Sequence, residues 1–168
     1  MNLVNISNTN RQLMSIKLHL QQLLQVSADA GNGVALKKAY SQALCFHFVL
    51  AYRAFLQEVA VDYQISVDFD ESFSNLDLKL KNSGVVCQQC VVLADLEQEP
   101  ESWLYWVLAQ YQSCLVLNTQ VQVRAGQVVG NLIGVKDLMA IEIEDQYQNA
   151  YQCFQEIVEQ YRLLMQEW

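Results

Sequence analysis

The sequence predicts an all-α fold, an antiparallel bundle of four to five helices with a hairpin or irregular excursion near residues 119–135. Three observations carry this expectation. One proline and six glycines in 168 residues leave few helix breakers. Apolar residues recur every three or four positions over most of the chain. A hydrophobic fraction of 52% against 17% charged residues supplies one core and excludes intrinsic disorder. At this length a single helical domain over residues 1–168 is expected.

The first helix is expected from about Thr9 to Val26. Asn8 or Thr9 would cap its free amides, and Leu13, Ile16, Leu20, Leu23 and Leu24 would form its apolar face. Gly31-Asn32-Gly33 marks a turn into the longest helix, about Val34 to Tyr63. That segment is apolar nearly all round its middle (Leu44, His47, Leu50, Ala51, Phe55, Val59), as a central helix should be. A short helix is expected near residues 73–82, ended by Gly84. Residues 85–96 place Cys87, Cys90, Leu93 and Leu96 on one helical face, so helix is preferred over strand despite the valines. Pro100 suits the first turn of a helix, where its missing N–H costs nothing, and that helix would run to about Leu117. Val121 and Val123 alternate with polar residues before Gly126, the pattern of a hairpin or loop. The final helix is expected from about Asp145 to Gln166, with Tyr147, Tyr151, Phe154, Val158, Tyr161 and Met165 along one stripe.

Charge narrows the function classes. Residues 1–84 hold seven acids and seven bases, and residues 85–168 hold eleven acids and three bases, so the net −8 falls wholly in the second half. Phosphate backbones need clustered Lys and Arg, so no nucleic-acid partner is expected. The acidic half would also repel anionic lipid, and no apolar run reaches the roughly 18 residues that span a bilayer, so no membrane partner is expected either. The first eight residues lack the basic and apolar regions of a secretory signal, and the cysteine count is odd, at five. Both point to reduced thiols in the cytoplasm.

The candidate chemistry is sparse. Cys87-Gln88-Gln89-Cys90 is a CxxC, but it lacks a preceding strand and the Trp and Pro of a thioredoxin-like motif, and a structural zinc would need a second ligand pair. Core packing of two small residues is the simpler reading. His47 lies among apolar neighbours, where a satisfied core histidine is the ordinary outcome. Its rival role is a site joining His47 to Arg11 and His19 on the first helix, either catalytic or metal-binding. Helical ribonucleases of the HEPN type carry Arg followed four to six residues later by His. Here His47 precedes Arg53, and Arg11 stands too far from His19, so a nuclease is disfavoured. Glu97, Glu99 and Glu101, and the run Glu142, Glu144 and Asp145, read as helix-start acids more readily than as cation ligands. No phosphate-binding glycine loop, nucleophile elbow or zinc-protease motif is present. No catalytic set, cofactor or metal site is therefore expected. The tyrosines of the last helix pack into the core on the plainest reading, but Tyr147, Tyr151 and Tyr161 keep polar tips that could serve a protein interface.

Several segments resemble an uncharacterised family of gammaproteobacterial proteins known only as a domain of unknown function. They are Thr9-Asn10-Arg11-Gln12-Leu13, Phe46-His47, Glu58-Val59-Ala60 with Tyr63, Pro100-Glu101-Ser102-Trp103-Leu104, Tyr161-Arg162, and the closing Glu167-Trp168. The resemblance implies a cytoplasmic bacterial protein with a mainly helical fold, and assigns no functional residue. The leading expectation is a non-catalytic interaction or scaffold module whose partner is a protein, including a second copy of itself. The alternative is a small helical enzyme or metal-binding protein centred on His47.

Overall fold

The computed structural model describes residues 3–27, 31–68, 70–115 and 133–166, with side chains in the last stretch from residue 143. The described residues form six helices: α1 (Leu3–Gln25), α2 (Gly33–Asp62), α3 (Phe73–Asn82), α4 (Gln88–Gln98), α5 (Trp103–Leu115) and α6 (Ile133–Gln166). The described residues contain no strand. The excursion expected at residues 119–135 falls mostly outside them, but its last three residues are helical, because α6 begins at Ile133 rather than near Asp145.

Helix α2 is the axis, as its apolar girth requires. Leu44, Cys45, Phe48, Ala51, Phe55, Leu56, Val59 and Ala60 are all buried along it. By length and composition α2 is apolar enough to cross a membrane. Its most apolar stretch is 61% buried against the other helices, which is how a central core helix satisfies the same composition. Leu50 and His47 are only half-buried, so the face that includes them is the less covered one.

The contacts differ from a purely antiparallel array. Along α1, His19 meets Tyr40 and Thr9 meets Glu58, so the two helices run in opposite directions. Along α6, Glu144 pairs with Lys37 at 2.7 Å, Phe154 meets Phe55, and Arg162 reaches Glu58, so α6 runs the same way as α2. The short link between α1 and α2 permits only a reversal. The chain between α2 and α6 is long enough to return to the start of α2, which frees that pair from the rule.

Three helix ends were misplaced by sequence and have physical explanations. Helix α1 starts at Leu3, so Asn8 and Thr9 lie inside it. Thr9 is buried and donates to the Asn5 carbonyl and to Glu58 instead of capping. Helix α4 starts at Gln88, leaving Val85 and Val86 before it. Helix α5 starts at Trp103, and its cap is Ser102, whose hydroxyl accepts from the Tyr105 amide at 3.0 Å; Pro100 precedes the helix. The ends of α2 and α3 share one device. Ile65 N–H returns to the Ala60 carbonyl and Val85 N–H to the Leu80 carbonyl, around left-handed residues Gln64 (φ 58°) and Gly84 (φ 74°).

Candidate functional site

Four polar clusters interrupt the apolar core, and their completeness separates structural from chemical roles. The first joins α1, α2 and α6. Glu58 is 1% exposed. Arg162 Nε donates to its Oε1 at 2.7 Å and Arg162 Nη2 to its Oε2 at 2.8 Å, a two-pronged pairing. Thr9 donates to Oε2 at 2.7 Å, and the remaining guanidinium nitrogen reaches Asn10 Oδ1 at 2.7 Å. Both Glu58 oxygens and all three Arg162 nitrogens are thus bonded, as in a structural clamp. Thr9, Asn10, Glu58 and Arg162 lie in three of the segments that carried the family resemblance, and the fold brings them to one point.

The second cluster holds the start of α3. Glu97 accepts from the Phe73 amide at 2.7 Å and the Ser74 amide at 3.0 Å, and it also accepts from the Ser74 and Tyr52 hydroxyls. A carboxylate across a helix N-terminus complements its dipole. The alternating acids were read as helix-start charges for their own segment. Glu97 does serve a helix start, but that of α3, while Glu99 closes α4. Burial and the neighbouring Glu97 charge push the Tyr52 hydroxyl far above its ordinary value, so it remains a neutral donor.

The third cluster contains the histidines. The rings of His19 and His47 lie 4.8 Å apart, His47 Nδ1 is 3.1 Å from Gln12 Oε1, and His19 Nδ1 is 2.7 Å from the Ser15 carbonyl. Burial, with His19 beside it, lowers the His47 pKa from its ordinary value. Arg11 does not join them: its guanidinium bonds Asn8 at 3.2 Å. The structure therefore gathers two of the three residues proposed for this site. Among the described residues no group of three His, Cys, Asp or Glu side chains gathers to hold a metal.

The fourth cluster lies where α4 begins beside the end of α6. Cys87 is the residue preceding α4, in extended backbone (φ −108°, ψ 109°), and Cys90 follows in the first turn. Both thiols are free and buried. The Cys87 thiol donates to Gln89 Oε1 at 4.0 Å. The neighbouring Cys90 thiol, with the Tyr63 hydroxyl nearby, brings the Cys87 thiol down to about 7, against the opposing effect of burial. Cys90, beside Cys87 and buried, moves strongly upward. A hollow of about 420 Å³ opens beside Cys87, lined also by Tyr63, Val85, Val86, Tyr161, Leu164 and Met165. Val86, 73% exposed, and Leu164, 45% exposed, make its rim mainly apolar, with Gln88 and Gln89 also on the lining. On the far side, α3 contributes Asp77. Its Oδ2 pairs with Lys81 at 2.6 Å, and its Oδ1 is buried without a hydrogen-bond partner. Two further hollows are smaller, about 200 Å³ beside Trp103 and Trp106 and about 220 Å³ between α1 and α6.

The tyrosines named as interface candidates have definite places. Tyr147 and Tyr161 are buried, at 2% and 1% exposure. The Tyr147 hydroxyl donates to the Ser41 carbonyl at 3.1 Å and sits beside Cys45, and the Tyr161 hydroxyl donates to Asp62 at 3.0 Å. Only Tyr151 keeps part of its surface outside. Sequence reasoning did not single out Tyr63, Asp77, Val86 or Leu164. A CxxC that directly follows Gly84-Val85-Val86 was the available signal, since a left-handed glycine three residues before a cysteine separates two helices and puts that cysteine at a helix start.

No curated protein and no solved structure matches this chain. Over residues 1–168 it matches the profile described as Family of unknown function (DUF6586), and it belongs to that family.

Proposed function

We propose that this protein is a non-catalytic helical interaction module that takes an apolar side chain of a partner protein into the hollow between α4 and α6. The observation that carries the reading is that hollow. Its volume, about 420 Å³, lies in the range of sites that hold small ligands or anchor side chains, and exposed Val86 and Leu164 stand at its mouth. The excess of acid in residues 85–168 favours basic residues flanking the partner's anchor. Five free thiols support a reducing, cytoplasmic setting, and the motif resemblance supports a gammaproteobacterial source.

Selection of a displayed helical-peptide library on the immobilised protein tests this reading. Enriched peptides are expected to carry a large apolar residue beside Lys or Arg, and to lose binding to the Leu164→Glu protein at unchanged melting temperature. Failure to enrich any peptide, or equal binding to the variant, would overturn it. Self-association through the same mouth would appear as a mass that rises with concentration in light scattering and falls in Leu164→Glu.

The second reading keeps the histidines as a site, because the rings of His19 and His47 lie 4.8 Å apart. It requires a metal or an activity lost in His47→Gln without a change in melting temperature. Elemental analysis showing no bound metal and an unaltered melting curve without any lost function would discard it.

A further inference from the structure

We propose that Cys87 and Cys90 form a dithiol that exchanges with small-molecule disulfides through the hollow, Cys87 attacking from the cavity side and Cys90 closing the bond from within. Three placements carry this. Cys87 lines the hollow and Cys90 does not. Both are buried, Cys87 at 2% and Cys90 at 0% exposure, so an incoming disulfide reaches Cys87 only through the hollow that it lines. Cys87 is the residue before an eleven-residue helix and Cys90 lies in its first turn, where free amides and the dipole favour a thiolate.

The reaction balances with a disulfide as the oxidant. The Cys87 thiolate attacks one sulfur of RSSR, the S–S bond breaks, and RS⁻ leaves, giving a mixed disulfide. The Cys90 thiol loses its proton and attacks Cys87 Sγ. The second RS⁻ departs, and the Cys87–Cys90 disulfide remains. Both leaving thiolates are protonated from water, including the proton released by Cys90. The net change is two protein thiols oxidised and one disulfide reduced to two thiols. The i, i+3 spacing puts the two cysteines on one side of the helix start. The lowered Cys87 thiol favours the thiolate that an attacking group needs.

Asp77 bears on the closing step. Its unpartnered Oδ1 is buried, and its charge opposes the Cys90 thiolate, so Asp77 sets how readily Cys90 becomes the attacking group. Asp77 is a positioning residue in this scheme, since it acts through Cys90.

The remaining thiols provide an internal contrast. Cys45 lies 2.7 Å from the Tyr147 hydroxyl, burial pushes its thiol up to about 11, and it does not line the hollow beside Cys87. Burial raises the Cys153 thiol as well.

The inference shares its hollow with the binding reading, and the test separates the two. The full chain, carrying Cys114→Ser to silence the exposed thiol, is treated with hydroxyethyl disulfide and mapped by peptide mass spectrometry. A Cys87–Cys90 disulfide is expected. Adding Cys90→Ser should trap one hydroxyethylthio group on Cys87, on the order of tenfold faster than any adduct on Cys153. With Cys90 in place, the rate of oxidation should rise as pH climbs through neutrality. Asp77→Asn, which removes a charge opposing the Cys90 thiolate, should speed closure of the mixed disulfide without changing the rate of its formation. Adducts confined to Cys153 would overturn the proposal, as would a Cys87 adduct that Cys90 never displaces. Normal exchange with no peptide binding would discard the docking reading alone, and peptide binding with inert thiols would discard the dithiol alone.

Discussion

The clamp around Glu58 and the edge around Cys87 are both polar intrusions into one apolar core, and they are solved in opposite ways. At Glu58 a buried charge meets a two-pronged guanidinium, a hydroxyl and an amide side chain, and both carboxylate oxygens and all three guanidinium nitrogens are bonded. At Cys87 two free thiols meet at a helix start, Asp77 keeps an orphan oxygen, and a hollow stands open beside Cys87. Saturated polar groups fix helices in register. Unsaturated ones keep bonding capacity that something else can use.

The difference predicts an ordering of mutational effects. Arg162→Met leaves the Glu58 carboxylate buried without its counter-charge and should cost about 3–5 kcal/mol in urea denaturation, the largest loss in this series. Replacing both partners, Glu58→Leu with Arg162→Met, should recover most of that loss. If the single variant loses less than about 1 kcal/mol, Glu58 has another partner or reaches water, and the contrast between the regions fails. Gly84→Ala, at the turn that delivers the chain to the Cys87 edge, should cost about 1–2 kcal/mol. The cost is in the backbone, since no atom lies within 4 Å of where the added methyl would sit. Asp77→Asn should change stability by less than about 1 kcal/mol, because Lys81 is half exposed and their pair is worth little. A large loss there would make Asp77 structural and remove it from the dithiol scheme.

The smallest effect is a pH slope. Burial and His19 hold the folded pKa of His47 below its ordinary 6.5, so the unfolded chain takes up its proton first. The stability that neutral His47 contributes is complete above pH 6.5 and is lost as pH falls towards the folded value. His47→Gln should flatten that part of a stability–pH profile measured by chemical denaturation. An unchanged profile would show that His47 does not supply it.

What was legible in the sequence was local. The bounds of α2 and α3 follow from apolar spacing, from Gly33 and from the Ser72 cap, whose hydroxyl accepts from the Asn75 amide at 3.2 Å. What was illegible depended on distant partners. Thr9 has the chemistry of a cap and was read as one, yet its oxygen serves a carboxylate 49 residues away. Glu97 looked like a helix-start acid for its own segment and caps a different helix. Tyr147 and Tyr161 could have faced either way along the stripe of α6, and both settled inside because Ser41 and Asp62 offered their hydroxyls acceptors. The CxxC was weighed against strand-first motifs, whereas the feature that gives Cys87 its character is the helix that follows.

The shared direction of α2 and α6 has a consequence for how the chain acquires its shape. The α1–α2 hairpin can pair as soon as it emerges, through neighbours close in sequence. Glu58, however, must wait for a cation 104 positions later. Until α6 arrives and lies down alongside α2, that hairpin carries a bare negative charge on the flank meant for burial. The nascent pair is therefore loose and hydrated by design of its own sequence, and consolidation comes late, in a single long-range docking event.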